Sequence, residues 1–285
     1  MSAVAPDPAV VAAPDLAPVL DTHRGEDALR AAVESACAPA APPFVLLSLL
    51  GRFIQFNSAF GAGLANLAGE IAARQALFQD PDEPVRILAD RASEVAADFF
   101  YAAVDEFDDR LTPWRDTHRT LAQATLKGLG AHLGYAPSAL NDVIRINDAT
   151  EAARAAVWEG YGIGARLDER RLFSAMGFHA GSEVLADHEF TVIDQCLRAR
   201  RADLVQALEA MKVEVLGQKH DAYYWIRIHT SVEAEHFEAA LAGVNKALRF
   251  YAGGEAKGTV KGWILDGFTR FAAVQGRFME SLGEN

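Results

Sequence analysis

Cysteine is nearly missing from this chain of 285 residues: Cys37 and Cys196 are the only two, and they stand far apart in unlike contexts. No C-x-x-C pair exists, so the cysteine-based metal and redox motifs are excluded and both thiols read as bystanders. Also lacking is any run rich in Lys and Arg. With 27 basic against 39 acidic residues and a net charge of −12, neither a nucleic-acid surface nor an anionic-membrane surface is expected. No run of about 18 uninterrupted apolar residues occurs, and no basic stretch at the N-terminus leads into an apolar one. No membrane partner is therefore expected, and the chain reads as a soluble cytoplasmic protein. Internal repeats are not evident. Period-2 alternation of apolar and polar residues is almost absent as well, which leaves a fold that is nearly all α-helical.

What is present is apolar mass: 51% of the residues are hydrophobic, enough for one large core. Residues 1–22, MSAVAPDPAVVAAPDLAPVLDT, carry prolines that interrupt any helical period, which predicts a flexible tail. A short helix is expected over 25–36, and the Pro-rich 38-APAAPP-43 closes an Ala/Pro-rich N-terminal segment, 1–43. One helical metal-binding domain, 44–285, follows. Its first part, 44–78, suits one or two buried helices, and 79–84 is a turn cluster. Further helices are expected over about 85–107, 118–134, 150–160, 168–199, 201–212, 220–250 and 259–281. Asp116 or Thr117 can cap the second of these, and Asn147 begins the third. Gly177 and Gly181 would let a neighbouring backbone approach the 168–199 helix closely.

The metal expectation comes from 223-YYWIRIHTSVEAEHFEAALAGVNKAL-248. At about 100° per residue, with His229 as zero, Glu233 falls near 40° and His236 near 340°, so all three share one face. That face is otherwise apolar, with Trp225, Val232, Ala240, Val244 and Ala247 along it. A buried carboxylate beside two imidazoles needs a compensating partner, and a metal ion supplies one; a buried hydrogen-bond network among the three is the alternative. Ferritin-like di-iron bundles draw a Glu-x-x-His pair from each of two helices, but Glu233–His236 is the only such pair here, so that layout is not expected. Acid and His recur at three other places: Glu106 closing one helix, His118 opening the next, and Glu183 inside the 168–199 helix. On that helix, Glu183 lies about 40° from His179 and Glu189 about 80° to the other side.

Taken in order, 104-VDEFDDRLTPWRDTH-118, 177-GFHAGSEVLADHEF-190 and 229-HTSVEAEH-236 resemble the haem-oxygenase-like non-haem diiron oxidases and oxygenases. In that family a helix-ending D-E segment precedes a His that starts the next helix. A Gly-rich helix with a central Glu and then H-x3-(D/E)-x2-H follow. The resemblance covers roughly 44–250 and implies an all-α, haem-oxygenase-like bundle of about seven or more helices. Position by position it implies six metal ligands, Glu106, His118, Glu183, His229, Glu233 and His236, with Glu189 a rival to Glu183. Two Fe(II) per chain, with Mn as a substitute, and O2 as cosubstrate are implied too. So is oxidation of a small metabolite in secondary metabolism, by N-oxygenation of an amine or by oxidative C–C cleavage of an amino acid or fatty acid. A homodimer is a further expectation. The alternatives are a metal-independent oxidase related to pyrroloquinoline-quinone synthase, a thiaminase relative with a Cys nucleophile, and a non-enzymatic helical interaction protein. Arg110, Trp114, Tyr223 and Tyr224 are candidates to line an entrance. The connection 106–118, with Pro113 and many charges, is expected to be mobile.

Overall fold

A computed structural model describes residues 10–284, less the side chains at 186–187 and 231–236. Among the described residues the helices are α1 (Ala13–Leu20), α2 (Gly25–Ala36), α3 (Pro43–Asn57), α4 (Phe60–Ala72), α5 (Arg86–Ala89), α6 (Ala92–Phe107), α7 (His118–His132), α8 (Leu140–Val143), α9 (Asp148–Gly160), α10 (Glu169–Arg200), α11 (Ala202–Ala210), α12 (Tyr224–Phe250) and α13 (Lys257–Ser281). One antiparallel hairpin, β1 (Lys212–Val215) and β2 (Gln218–Asp221), sits between α11 and α12. The expected all-α bundle is therefore present. Three long helices begin at residues whose side chains accept from a backbone N–H: Thr117 from Thr120, Asn147 from Thr150 and Asp168 from Arg171. Thr117 rather than Asp116 thus caps α7.

Helix α10 is the spine. It packs on α12, α13 and α2, while α4 lies on α6 and α6 on α12. The α10–α13 crossing is close because a β-carbon at Gly177 would land on the Ile264 carbonyl, and one at Gly267 on the Ser174 carbonyl. At Gly181 a β-carbon would stand 3.2 Å from the Phe268 carbonyl oxygen. The expected close approach is thus found, and its partner is α13. Along α12, Trp225, Ala240, Val244 and Ala247 are buried as the periodicity required. The apolar stretch 43–72 is long enough to cross a bilayer by composition, but 67% of its most apolar window is buried inside the bundle.

Four expectations need correction. The tail is not free over its second half: α1 lies against α13, Leu16 is buried, Asp15 pairs with Lys261 at 2.9 Å, and Val11 N–H donates to Asn245 Oδ1 at 2.8 Å. Pro14 causes no break because it stands in the first turn, where no intrahelical partner is lost. The helix over 85–107 is two helices, parted where Asp90 turns extended and Arg91 N–H donates to the Phe78 carbonyl at 2.9 Å. The hairpin was not expected, its strands being too short to show alternation. Its turn holds Leu216 and Gly217 at φ 52° and 78°, the left-handed pair a tight hairpin needs. It occupies residues expected to open the helix 220–250, which begins at Tyr224 instead.

Candidate metal centre

Three helices bring one candidate side chain each to a common point. Glu106 stands in the last turn of α6, His118 is the first residue of α7, and His229 lies in the second turn of α12. One ligand atom from each lies within 4.8 Å of the other two. His118 Nδ1 is 3.2 Å from Glu106 Oε1 and 3.2 Å from His229 Nε2. His229 Nδ1–H donates to the Trp225 carbonyl one turn back, at 2.7 Å. That bond fixes the tautomer and leaves Nε2 with its lone pair aimed into the cluster, the arrangement found behind metal-ligating histidines. Phe190 stacks on the His229 ring at 4.1 Å and 14°, which blocks rotation of the imidazole. Two imidazole nitrogens facing each other beside a carboxylate can share a hydrogen bond or hold a metal ion, and this donor set is of the kind that suits iron or manganese.

Glu183 and Glu189 of α10 are both buried and line the same small cavity as Glu106, His118 and His229, about 40 Å³ in volume. Each is held from behind. His179 Nδ1 stands 3.2 Å from Glu183 Oε1, and Gln275 Nε2 of α13 donates to Glu189 Oε1. Behind His179, Ser182 Oγ donates to the His179 carbonyl at 2.7 Å and accepts from the Tyr161 hydroxyl at 2.9 Å. Burial, and then the Glu183 carboxylate, push the Tyr161 hydroxyl well above its ordinary pKa, so it stays a proton donor. The sequence brought five of its candidates to one cavity, Glu189 among them. The side chains of Glu233 and His236 lie outside the described residues, and His179 serves as a support rather than facing the cluster.

The connection from Glu106 to His118, expected to be mobile, is cross-tied. Asp109 N–H donates to the Asp116 carbonyl at 2.8 Å, Leu111 N–H to Asp109 Oδ1 at 2.8 Å, and Asp116 N–H to Thr112 Oγ1 at 2.9 Å. Arg115, at φ 52°, pairs with Asp108. Buried His220 on β2 reaches Asp116 Oδ2 at 3.3 Å from Nδ1, while its Nε2–H donates to the Val215 carbonyl at 3.2 Å.

A second, larger cavity of about 260 Å³ opens from the cluster to the surface between α3, α4 and α7, and shares Glu106, His118 and His229 with it. Ile54, Phe107 and Trp225 give it apolar walls, and among the described residues Asn57, Ser58, Thr117 and Arg119 are its polar lining outside the cluster. None of the four residues expected at an entrance lines it; the Tyr223 hydroxyl donates to Asp194 at 2.8 Å instead. Sequence reasoning missed Trp225 as the residue that orients His229 and Arg119 as cavity lining. The i, i+4 spacing of Trp225 and His229 was the available signal for the first; nothing signalled the second. Neither cysteine lines either cavity. Both are buried, and burial raises the thiol of Cys196 and takes that of Cys37 up to about 11, the opposite of what a nucleophile needs.

No protein-family model matches the chain, and no curated protein matches it in sequence. Among solved structures it is similar to a TenA homolog from Pseudomonas syringae pv. tomato, with a TM-score of 0.52 and 12% identity over 94% of this chain and 88% of that one. At that identity the likeness speaks for the fold alone. The chain has the all-α, haem-oxygenase-like fold of that TenA homolog, with a cluster of metal-ligand type at its centre.

Proposed function

We propose that the chain is a non-haem diiron oxidase or oxygenase that activates O2 to oxidise a small metabolite. The observation that carries this reading is the convergence of Glu106, His118 and His229 from three helices, with the His229 lone pair aimed inward by the Trp225 carbonyl. Glu183 supplies a further carboxylate, Glu189 stays in its bond to Gln275 as a support, and Glu233 and His236, one and two turns beyond His229, complete the set. Iron bound there, or manganese in its place, would supply one-electron redox chemistry and open positions for dioxygen. The protein's own part is positional. Phe190 and Trp225 fix His229 and keep bulk water from its inner side. Tyr161 holds a proton one hydrogen-bonded step behind His179 and Glu183. The larger cavity admits a substrate to the Glu106 and His118 side, where Phe107 and Ile54 present an apolar wall.

Anaerobic titration of the metal-free protein with Fe(II), followed by metal analysis, tests the proposal. Close to two Fe(II) per chain are expected. His118→Ala, His229→Ala and Glu183→Gln should each fall to one or fewer with circular dichroism unchanged, whereas Glu189→Gln should stay nearer to two. A folded protein that holds no iron would refute the reading and favour a buried hydrogen-bond network.

A further inference from the structure

The α3–α7 mouth of the larger cavity carries a cation with no anion to match it. Arg119, second residue of α7, sends Nη1–H to the Ile54 carbonyl at 3.0 Å and Nη2–H to Gln55 Oε1 at 3.5 Å, both neutral acceptors. Among the described residues no carboxylate stands within ion-pair distance of it. The nearby acid is already taken: Glu151 accepts from Arg154 Nε at 2.9 Å and from Gln55 Nε2 at 2.9 Å. Arg154 in turn lies over the Trp158 ring at 4.5 Å. Gln55 therefore bridges a satisfied pair on one side and an unmatched guanidinium on the other. In a chain of net charge −12, Arg119 is thus an accessible cation at the cavity mouth whose donors meet only neutral acceptors, leaving its charge open to an incoming anion.

We infer that Arg119 binds the carboxylate of the substrate, and that this site takes a compact carboxylic acid whose apolar body runs along Ile54, Phe107 and Trp225 toward the Glu106–His118–His229 cluster. The lining fits such a ligand at both ends. Among the described residues around the cavity Arg119 is the one Lys or Arg, the walls between are largely apolar, and Asn57 Oδ1 is left over once its amide has donated to the Phe53 carbonyl at 2.9 Å. A planar guanidinium meets a carboxylate with two parallel hydrogen bonds, which an amine or alcohol cannot accept in the same way. A volume of about 260 Å³ lies just below the usual range of ligand clefts, roughly 300–1,000 Å³, and so suits a compact acid rather than a long acyl chain in extended form.

The assignment of the acid as a substrate rests on the oxidase reading, but its binding needs no metal, so the two are tested apart. Metal-free, full-length protein is titrated by calorimetry with hexanoate, octanoate and 4-phenylbutanoate, and with the amide and primary amine of each. At least one carboxylate should bind ten- to a hundredfold more tightly than its amide, the range of one charge-assisted hydrogen-bonded pair. Arg119→Gln should abolish that preference, and Arg119→Lys should keep part of it. Arg119 is exposed at its outer side, so both variants should fold, and matching thermal melts will verify this. Equal binding of acid and amide, tighter binding of the amine, no binding by any of the nine, or an acid preference that survives Arg119→Gln would each overturn the inference. A protein that takes up two Fe(II) yet shows no acid preference would overturn the inference alone, and one that binds acids through Arg119 but no iron would overturn the oxidase reading alone.

Discussion

Replacing Gly177 by Ala should destabilise the protein, although the same change at Gly262 or Gly69 should not. A β-carbon at 177 falls on the Ile264 carbonyl oxygen of α13, an atom of backbone that cannot turn aside, so α10 and α13 must separate by on the order of 1 Å to restore ordinary contact. Overpacking of this kind costs about 1–3 kcal/mol, and a backbone-on-backbone clash belongs at the top of that range. Against it stands the helix propensity gained, about 1 kcal/mol for Gly to Ala in a helix interior. The net is a loss of about 2 kcal/mol, which in a chain of this size lowers Tm by roughly 4–8 °C. At Gly262 on α13 and Gly69 on α4 an added β-carbon meets nothing within 4 Å, so only the propensity gain of up to about 1 kcal/mol remains and Tm should rise slightly. Differential scanning calorimetry of the three variants gives the comparison. A Tm for Gly177→Ala equal to or above the wild type would refute the close crossing, and with it the placement of Gln275 against Glu189 that the crossing produces.

Two further outcomes concern titratable groups away from the cluster. Because burial raises both thiols, with Cys37 at about 11, native protein at pH 8 should react with Ellman's reagent many times more slowly than protein in guanidinium; rapid native labelling would restore a cysteine nucleophile to consideration. His23, whose Nε2–H donates to Gln275 Oε1 at 2.5 Å, has its pKa lowered from the ordinary 6.5, chiefly by burial. The unfolded chain therefore binds more protons than the native one between the two values. The contribution is complete above pH 6.5 and is lost as pH falls through the depressed value. Urea midpoints at pH 7.5 and pH 5 should differ less in His23→Leu than in wild type, and an unchanged difference would count against His23 as a source of acid sensitivity.

The bundle and most of the site were legible because they depend on helical period. His229, Trp225 and Val244 share a face at any tertiary arrangement, and Gly177 and Gly181 announce a close neighbour without naming it. Glu183 and Glu189 were separated by angle, 40° to one side of a stripe and about 80° to the other, yet both reach one cavity, because the cavity spans the directions between them and each carboxylate has its own support, His179 or Gln275. Nothing local to His118 says that it will meet His229, which lies far along the chain; only the order of motifs hinted at it. Arg119 could not be found at all, since an arginine in the first turn of a helix is ordinary and its isolation from acid follows from the pairing of Glu151 with Arg154. The hairpin escaped because four residues per strand cannot establish alternation against a helical background.

That hairpin has a physical task in the site. Two of the three convergent residues stand at helix ends, Glu106 closing α6 and His118 opening α7, and helix ends fray unless held. Thr117 caps α7, but a cap costs only about 1 kcal/mol when removed, less than ordering even one or two loop residues at roughly 1–2 kcal/mol each. The Asp109–Asp116 and Thr112–Asp116 bonds close the loop on itself, and α7 packs against both strands of the hairpin. Strand β2 runs directly into α12, and Ala222 N–H donates to the Met211 carbonyl at 3.1 Å to fix the base of the hairpin. The hairpin thereby joins α7 to the start of α12. His118 and His229 keep their 3.2 Å separation because the two helices that carry them are anchored to the same hairpin.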